Sequence, residues 1–143
     1  MKILIKRFNK SLPLPEYKTS GAVAFDLTAR ISLEISPRKV GYIPLNIACE
    51  TPEGYFLLLA ARSSTHKKGL ILANGIGIGD PDFTGDEDEY AAAYLNFTDK
   101  TVLIEAGERI AQGMLVKFER AEWGEVDSLG NKTRGGFGST GEK

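Results

Sequence analysis

The stretch ISLEISPRKVGYIPLNI, residues 31–47, decides the fold class. Ile31, Leu33 and Ile35 alternate with Ser32 and Glu34. Beyond Pro37 the pattern resumes from Val40 to Ile47, predicting two strands joined by a tight turn. The same period of two recurs in Ile3-Leu4-Ile5, Thr101 to Glu105 and Met114 to Phe118. Pro37, Gly41, Pro52-Glu53-Gly54, Gly69, Gly85 and Gly107 interrupt it at the short intervals of a sandwich or barrel. No stretch carries a helical apolar stripe longer than about two turns. The one helix candidate is a brief turn, Thr65-His66-Lys67-Lys68, capped by Ser63 or Ser64 and stopped by Gly69. The expectation is an all-β domain.

The 143 residues are enough for one domain with a core of its own. Eighteen basic and nineteen acidic residues leave a net charge of −1, so the fold has no general attraction for nucleic acid or anionic lipid. Any anion must be held locally. Cys49 is the single cysteine, which excludes an internal disulfide and a cysteine metal cage, and fits a reducing compartment, by default the cytoplasm. The start, MKILIKRF, alternates apolar and basic residues and reads as a strand rather than a signal peptide, and no segment is apolar and long enough to span a membrane. Apolar periodicity fades after about Arg120. Residues 1–120 are therefore expected to form the barrel domain and 121–143 a mobile Gly-rich arm, with Trp123 packing where the last strand leaves the core.

Several segments combine side chains with chemical potential. Ala61-Arg62-Ser63-Ser64 follows the apolar run Phe56 to Leu59, placing a guanidinium and two hydroxyls where a strand enters a helical turn, an arrangement suited to a phosphate. A plain cap beside a surface arginine is the simpler reading of those residues alone. NGIGIGDPDFTG, residues 74–85, predicts a hairpin-like excursion in which Gly77 lets the backbone approach a flat ligand, Asn74 donates and accepts on one edge, Phe83 lies against a ring and Asp80 takes a proton from water. A turn with solvent-facing acids is the ordinary alternative. Asp26 sits in a strand-like run, where it either faces solvent or has a partner. In the turn at 107–112, Arg109 and Gln112 face either a pocket or a subunit contact. The acids Asp86 to Glu89 read as a solvated loop or strand edge, with metal ligation the less favoured alternative. His66, the sole histidine, belongs on the helix surface.

In this order, AFDLTA at 24–29, ARSS at 61–64, NGIGIGDPDFTG at 74–85, AGERIAQGML at 106–115 and RGGFGSTG at 134–141 strongly resemble the five motifs of the homotrimeric dUTPases. The resemblance implies a jelly-roll-like β barrel of the β-clip type, a homotrimer with three shared active sites, and Mg²⁺-dependent hydrolysis of dUTP to dUMP and pyrophosphate. It implies that Asp80 activates the water attacking the α-phosphorus and that Asp26 reaches the metal through water. Arg62, Ser63, Ser64 and Gln112 fall on phosphate contacts, while Asn74 and Gly77 fall on the uracil-reading element. Phe83 takes the place of a tyrosine that packs under deoxyribose. From the arm, Phe137 would stack on uracil, and Arg134, Gly138, Ser139 and Thr140 would close over the phosphates as a lid. Two residues depart from the pattern: Gly79 stands where a bulky aliphatic is usual, and Pro81 removes an N–H beside Asp80. A dCTP deaminase, or a bifunctional deaminase and dUTPase, on the same barrel and a non-catalytic nucleotide-binding trimer are the rival readings, the first expected to need a glutamate base near the ring.

Overall fold

The computed structural model describes residues 1–141. Eleven short strands and one 3₁₀ turn make up its regular structure: β1 (Leu4–Arg7), β2 (Phe25–Thr28), β3 (Leu33–Ile35), β4 (Val40–Pro44), β5 (Ile47–Glu50), β6 (Tyr55–Ala61), β7 (Leu70–Leu72), β8 (Gly77–Gly79), β9 (Ala91–Asn96), β10 (Val102–Ile104) and β11 (Arg109–Lys117), with the 3₁₀ turn at Thr65–Lys68. The chain is a jelly-roll-like β barrel. All pairings are antiparallel, in the orders β2-β11-β6-β8, β4-β9-β7, β1-β5 and β10-β3.

The core follows from the alternation. Leu57 and Leu59 of β6 point inward and are buried with Leu27, Ile35, Ile43, Ile47, Tyr94, Ile104 and Ile110. The Tyr94 hydroxyl is satisfied by donating to the Ile110 carbonyl at 2.7 Å, and burial pushes its pKa up to about 12. Gly69 ends the 3₁₀ turn with φ +82°, the left-handed geometry expected of that glycine.

The run Val40 to Ile47 is two strands rather than one. Asn46 adopts φ +68° and is 1 % exposed. Its side chain donates to the Asn9 carbonyl at 3.1 Å and accepts from the Asn9 amide at 2.6 Å, while its own amide donates to Glu89 Oε1 at 2.9 Å. These bonds hold a kink that sends β4 to β9 and β5 to β1. Glu89 thereby departs from its expected solvated role: its side chain, 14 % exposed, also receives a two-pronged pair from Arg30 at 2.7 and 3.0 Å. Asp86 and Glu87 do face solvent beside Lys6, and Asp88 accepts from the Gly85 amide at 2.7 Å.

Trp123 does not pack against the core. It is 92 % exposed, because from Glu119 onward every described residue except the half-buried Gly136 lies at the surface and no strand follows β11 to cover the indole.

Glu89→Ala strips an acceptor from the buried Asn46 amide and the partner from Arg30. A loss of roughly 2 kcal/mol in urea unfolding is expected, and Glu89→Gln, which retains one oxygen for the amide, loses clearly less.

Candidate active site

Two groups of candidate residues are built from neighbouring strands. The first is a cleft of about 350 Å³ lined by Asn74, Gly77, Asp80, Phe83, Tyr42 and Tyr90, among others, a size suited to a small ligand. β8 forms its floor, pairing Gly77–Gly79 with Leu57–Leu59 of β6. A Cβ on Gly77 would lie 3.0 Å from the Leu59 Cβ, so the missing side chain is what lets β8 lie this close. The segment is not a hairpin, since β7 pairs with β9 and β8 with β6. A turn from Leu72 to Gly75, closed by the Gly75 amide on the Leu72 carbonyl at 3.1 Å with Gly75 at φ +73°, carries the chain between the two sheets and places Asn74 at the cleft.

Beyond β8, Asp80-Pro81-Asp82-Phe83 form a tight turn in which the Phe83 amide donates to the Asp80 carbonyl at 3.0 Å. Proline is favoured at the second place of such a turn and aspartate at the first. The N–H removed by Pro81 is not used in that turn, and the fixed φ of the ring presets the backbone behind Asp80. Phe83, 37 % exposed, stands edge-on to Tyr90 with ring centroids 5.2 Å apart at 71°. Tyr90 also accounts for Gly79: a Cβ there would be 2.6 Å from both the Tyr90 Cε1 and hydroxyl, so the tyrosine occupies the space that an aliphatic side chain on residue 79 would fill.

The second group lies across β2, β11 and the end of β6. Asp26, its side chain 14 % exposed, is bracketed by Arg62 Nε at 3.2 Å and Arg109 Nη1 at 2.9 Å. Arg62 Nη1 also donates to the Arg109 carbonyl at 3.0 Å. Of the two readings of Asp26, the partnered one holds: it is the centre of an ion cluster, and Arg109 turns toward it. Gln112 sits opposite Asp26 in the β11–β2 register and donates to the Ala61 carbonyl at 2.9 Å. Ser63 and Ser64 are exposed, and Ser64 opens the 3₁₀ turn without the side-chain cap expected of it. Its backbone is already in the helical region, so the hydroxyl is not aimed back at the turn's amides.

Asn74, Gly77, Asp80 and Phe83 thus come together, as do Asp26, Arg62 and Gln112, but the lining of the cleft includes none of Arg62, Ser63, Ser64 or Gln112. The arm residues join neither group. Arg134, Phe137, Gly138, Ser139 and Thr140 are exposed and fold into local turns, with Ser139 Oγ accepting from the Gly136 amide at 2.7 Å and the Gly141 amide donating to the Gly138 carbonyl at 3.0 Å. Sequence reasoning missed Tyr90 and left Arg109 undecided. Gly79 carried a signal for the first, because a glycine where bulk is usual implies a bulky neighbour elsewhere in the chain.

Among the described residues, no group of three or more His, Cys, Asp or Glu side chains is placed to hold a metal ion by itself, and no helix is long and apolar enough to cross a membrane.

The dUTPase family model matches residues 10–141. The deoxyuridine 5′-triphosphate nucleotidohydrolase of Hydrogenobaculum sp. (strain Y04AAS1) is 40 % identical over 147 aligned positions, covering 100 % of both chains. The crystal structure of the Streptococcus mutans dUTPase superposes with a TM-score of 0.76 at 31 % identity, over 83 % of this chain and 98 % of that one. The dUTPase of Staphylococcus bacteriophage 80alpha, solved with dUpNHpp, gives 0.85 over 98 % of each chain at 22 % identity, a likeness of fold. Motif order, barrel and relatives agree: this chain belongs to the dUTPase family.

Proposed function

We propose that the chain hydrolyses dUTP to dUMP and pyrophosphate, with Asp80 as the group that draws a proton from the attacking water. The observation that carries this reading is the position of Asp80: it lines the cleft together with Asn74, Gly77 and Phe83, on a turn whose backbone Pro81 fixes. Attack on a polyanionic phosphate chain needs an aligned nucleophile and neutralised charge more than covalent catalysis. Asn74 and the β8 backbone read the uracil edge, and Phe83 packs beneath the deoxyribose, where a 2′-hydroxyl would meet the ring. Arg62, Ser63, Ser64 and Gln112 take the phosphates. Product dUMP serves dTMP synthesis, and removal of dUTP keeps uracil out of DNA. The chain works in the cytoplasm, where its one thiol stays reduced; burial raises the pKa of Cys49 and keeps it unreactive.

The protein acts as a homotrimer with shared active sites. One chain carries a base-and-sugar cleft and a separate guanidinium cluster, and a neighbouring copy supplies the missing half of each. Two apolar features support the assembly. Tyr42 and Ile78, which line the cleft, are 72 % and 55 % exposed, and in the arm Trp123, Leu129 and Phe137 stand almost wholly in solvent. Large apolar side chains left this bare mark surfaces that are covered in an assembly. The segment that begins at residue 121, whose last two residues lie outside the described ones, acts as an arm reaching a neighbour's site, with Phe137 on the uracil and Arg134, Ser139 and Thr140 near the phosphates, Gly138 giving the backbone its φ of +85°.

Mg²⁺ fits this donor set as a cation carried in by the nucleotide. A hard ion that keeps several waters and takes phosphate oxygens requires only one nearby carboxylate, and Asp26 supplies it through water. When bound, Mg²⁺ neutralises phosphate charge. Before that, Asp26 is neutralised by Arg62 and Arg109, so its charge competes with phosphate for the same guanidinium groups.

Asp80→Asn is expected to retain binding of dUpNHpp while turnover falls by about a thousandfold or more; near-normal turnover removes Asp80 from this role. The same assay with dCTP, dTTP and UTP, reading pyrophosphate and ammonia separately, yields pyrophosphate from dUTP, whereas ammonia from dCTP would place the chain among the deaminases. Truncation after Arg120 leaves a folded trimer by light scattering, with activity down at least about a hundredfold because the site stays open to water. Asp26→Asn removes the competing charge, so metal-free binding of inorganic pyrophosphate tightens about fivefold by calorimetry while the stimulation of turnover by Mg²⁺ shrinks.

A further inference from the structure

Tyr90 makes contacts that the five motifs do not explain. It lies at the start of the segment leading into β9, outside every motif, yet it lines the same cleft as Asp80 and Phe83. Its backbone is clamped on both sides, the amide donating to the Ile47 carbonyl at 2.9 Å and the carbonyl accepting from the Leu45 amide at 2.8 Å. The preceding residue is Glu89, held by Arg30 and the Asn46 amide. Tyr90 is 6 % exposed and therefore fixed to the barrel core. Phe83 is different: it belongs to an exposed loop, and its position rests on the Asp80 turn and on the edge contact with Tyr90.

The hydroxyl of Tyr90 is buried and has no hydrogen-bond partner. Burial raises its pKa strongly, with Cys49 and the carboxylates of Asp80 and Asp88 acting in the same direction. The Cys49 thiol is the polar group nearest in effect to that hydroxyl, and toward the cleft the contacts of Tyr90 are those of its ring. That ring fills the hole at Gly79 and meets Phe83 edge to face.

We infer that Tyr90 is a positioning residue for sugar selection: seated in the space vacated at Gly79, it sets the height and tilt of Phe83 and so determines how strongly the enzyme rejects a ribonucleotide. The inference rests on the reading of Phe83 as the sugar platform. A 2′-hydroxyl is excluded by contact with a ring, and a ring free to tilt away excludes less. Tyr90 touches neither nucleotide nor water in this scheme, and its effect passes entirely through Phe83.

The test compares kcat/KM for dUTP and UTP in the full-length protein. Tyr90→Leu is expected to lower the dUTP-to-UTP ratio about tenfold, chiefly through KM, and Tyr90→Phe to keep it within about twofold because the ring remains. Gly79→Ala drives a methyl against the Tyr90 ring and shifts the ratio in the same direction with Tyr90 intact, which covers the case in which Tyr90→Leu does not fold. Phe83→Ala separates the two levels of the reading. If Phe83→Ala leaves the ratio unchanged, the sugar platform itself is wrong and the inference falls with it. If Phe83→Ala collapses the ratio while folded Tyr90→Leu or Gly79→Ala preserves it, the platform stands and the role of Tyr90 is overturned. Equal losses on dUTP and UTP in Tyr90→Leu, or a Tyr90→Phe as unselective as Tyr90→Leu, also overturn it.

Discussion

The antiparallel pairing of β6 with β11, in unbroken register from Ala111 opposite Ala61 to Lys117 opposite Tyr55, is the constraint on which both groups of candidate residues depend. β6 carries β8 on its other edge, and β8 delivers Gly77, Gly79 and then Asp80. β11 carries β2 on its other edge and so sets Asp26 opposite Gln112. Arg62 follows directly after β6 and bonds back to Arg109 at the start of β11. A slip of one residue in the central pair would turn Leu57 and Leu59 outward and part Arg62 from Asp26 in the same movement. Core packing and charge placement are therefore fixed by one set of backbone hydrogen bonds.

Gly113 shows how tightly this centre is drawn. A Cβ there would lie 2.8 Å from the Phe25 ring and 3.1 Å from Leu57 Cδ1, so the middle of β11 must be bare for β2 and β6 to flank it. Phe25 in turn packs edge-on against Tyr17 at 5.6 Å. At the end of β11 near the site, the register shifts between Arg109 and Ala111, a bulge that accompanies the turning of Arg109 toward Asp26.

Much of this was legible in the sequence where the chemistry is local. Period-two alternation located β1, β3, β4, β10 and the second half of β11 but not β7, β8 or β9, the left-handed glycine after Lys68 ended the one helical turn, and the motif order identified the family. What escaped depends on partners distant in sequence. Nothing in Val40 to Ile47 reveals that Asn46 turns left-handed, because the bonds that hold it come from Asn9 and Glu89. Four consecutive acids look alike in a string, and only the fold brings Arg30 to one of them. Trp123 reads as a core residue by type, yet the barrel is closed before the chain reaches it. Asp26 could be read as needing a partner, but not which one, because its two arginines lie 36 and 83 residues further along the chain.

The arrangement of Gly79 and Tyr90 bears on how such a chain can change over evolutionary time. One wall of the cleft is divided between two positions, neither of which is free while the other stays as it is: any side chain at 79 collides with the phenol, and a small residue at 90 leaves a void against a bare backbone. A lineage moving between this wall and one built from an aliphatic residue at 79 must pass through the void or the clash. Both passages are destabilising by amounts of the same order, so the two replacements are expected to be coupled rather than independent.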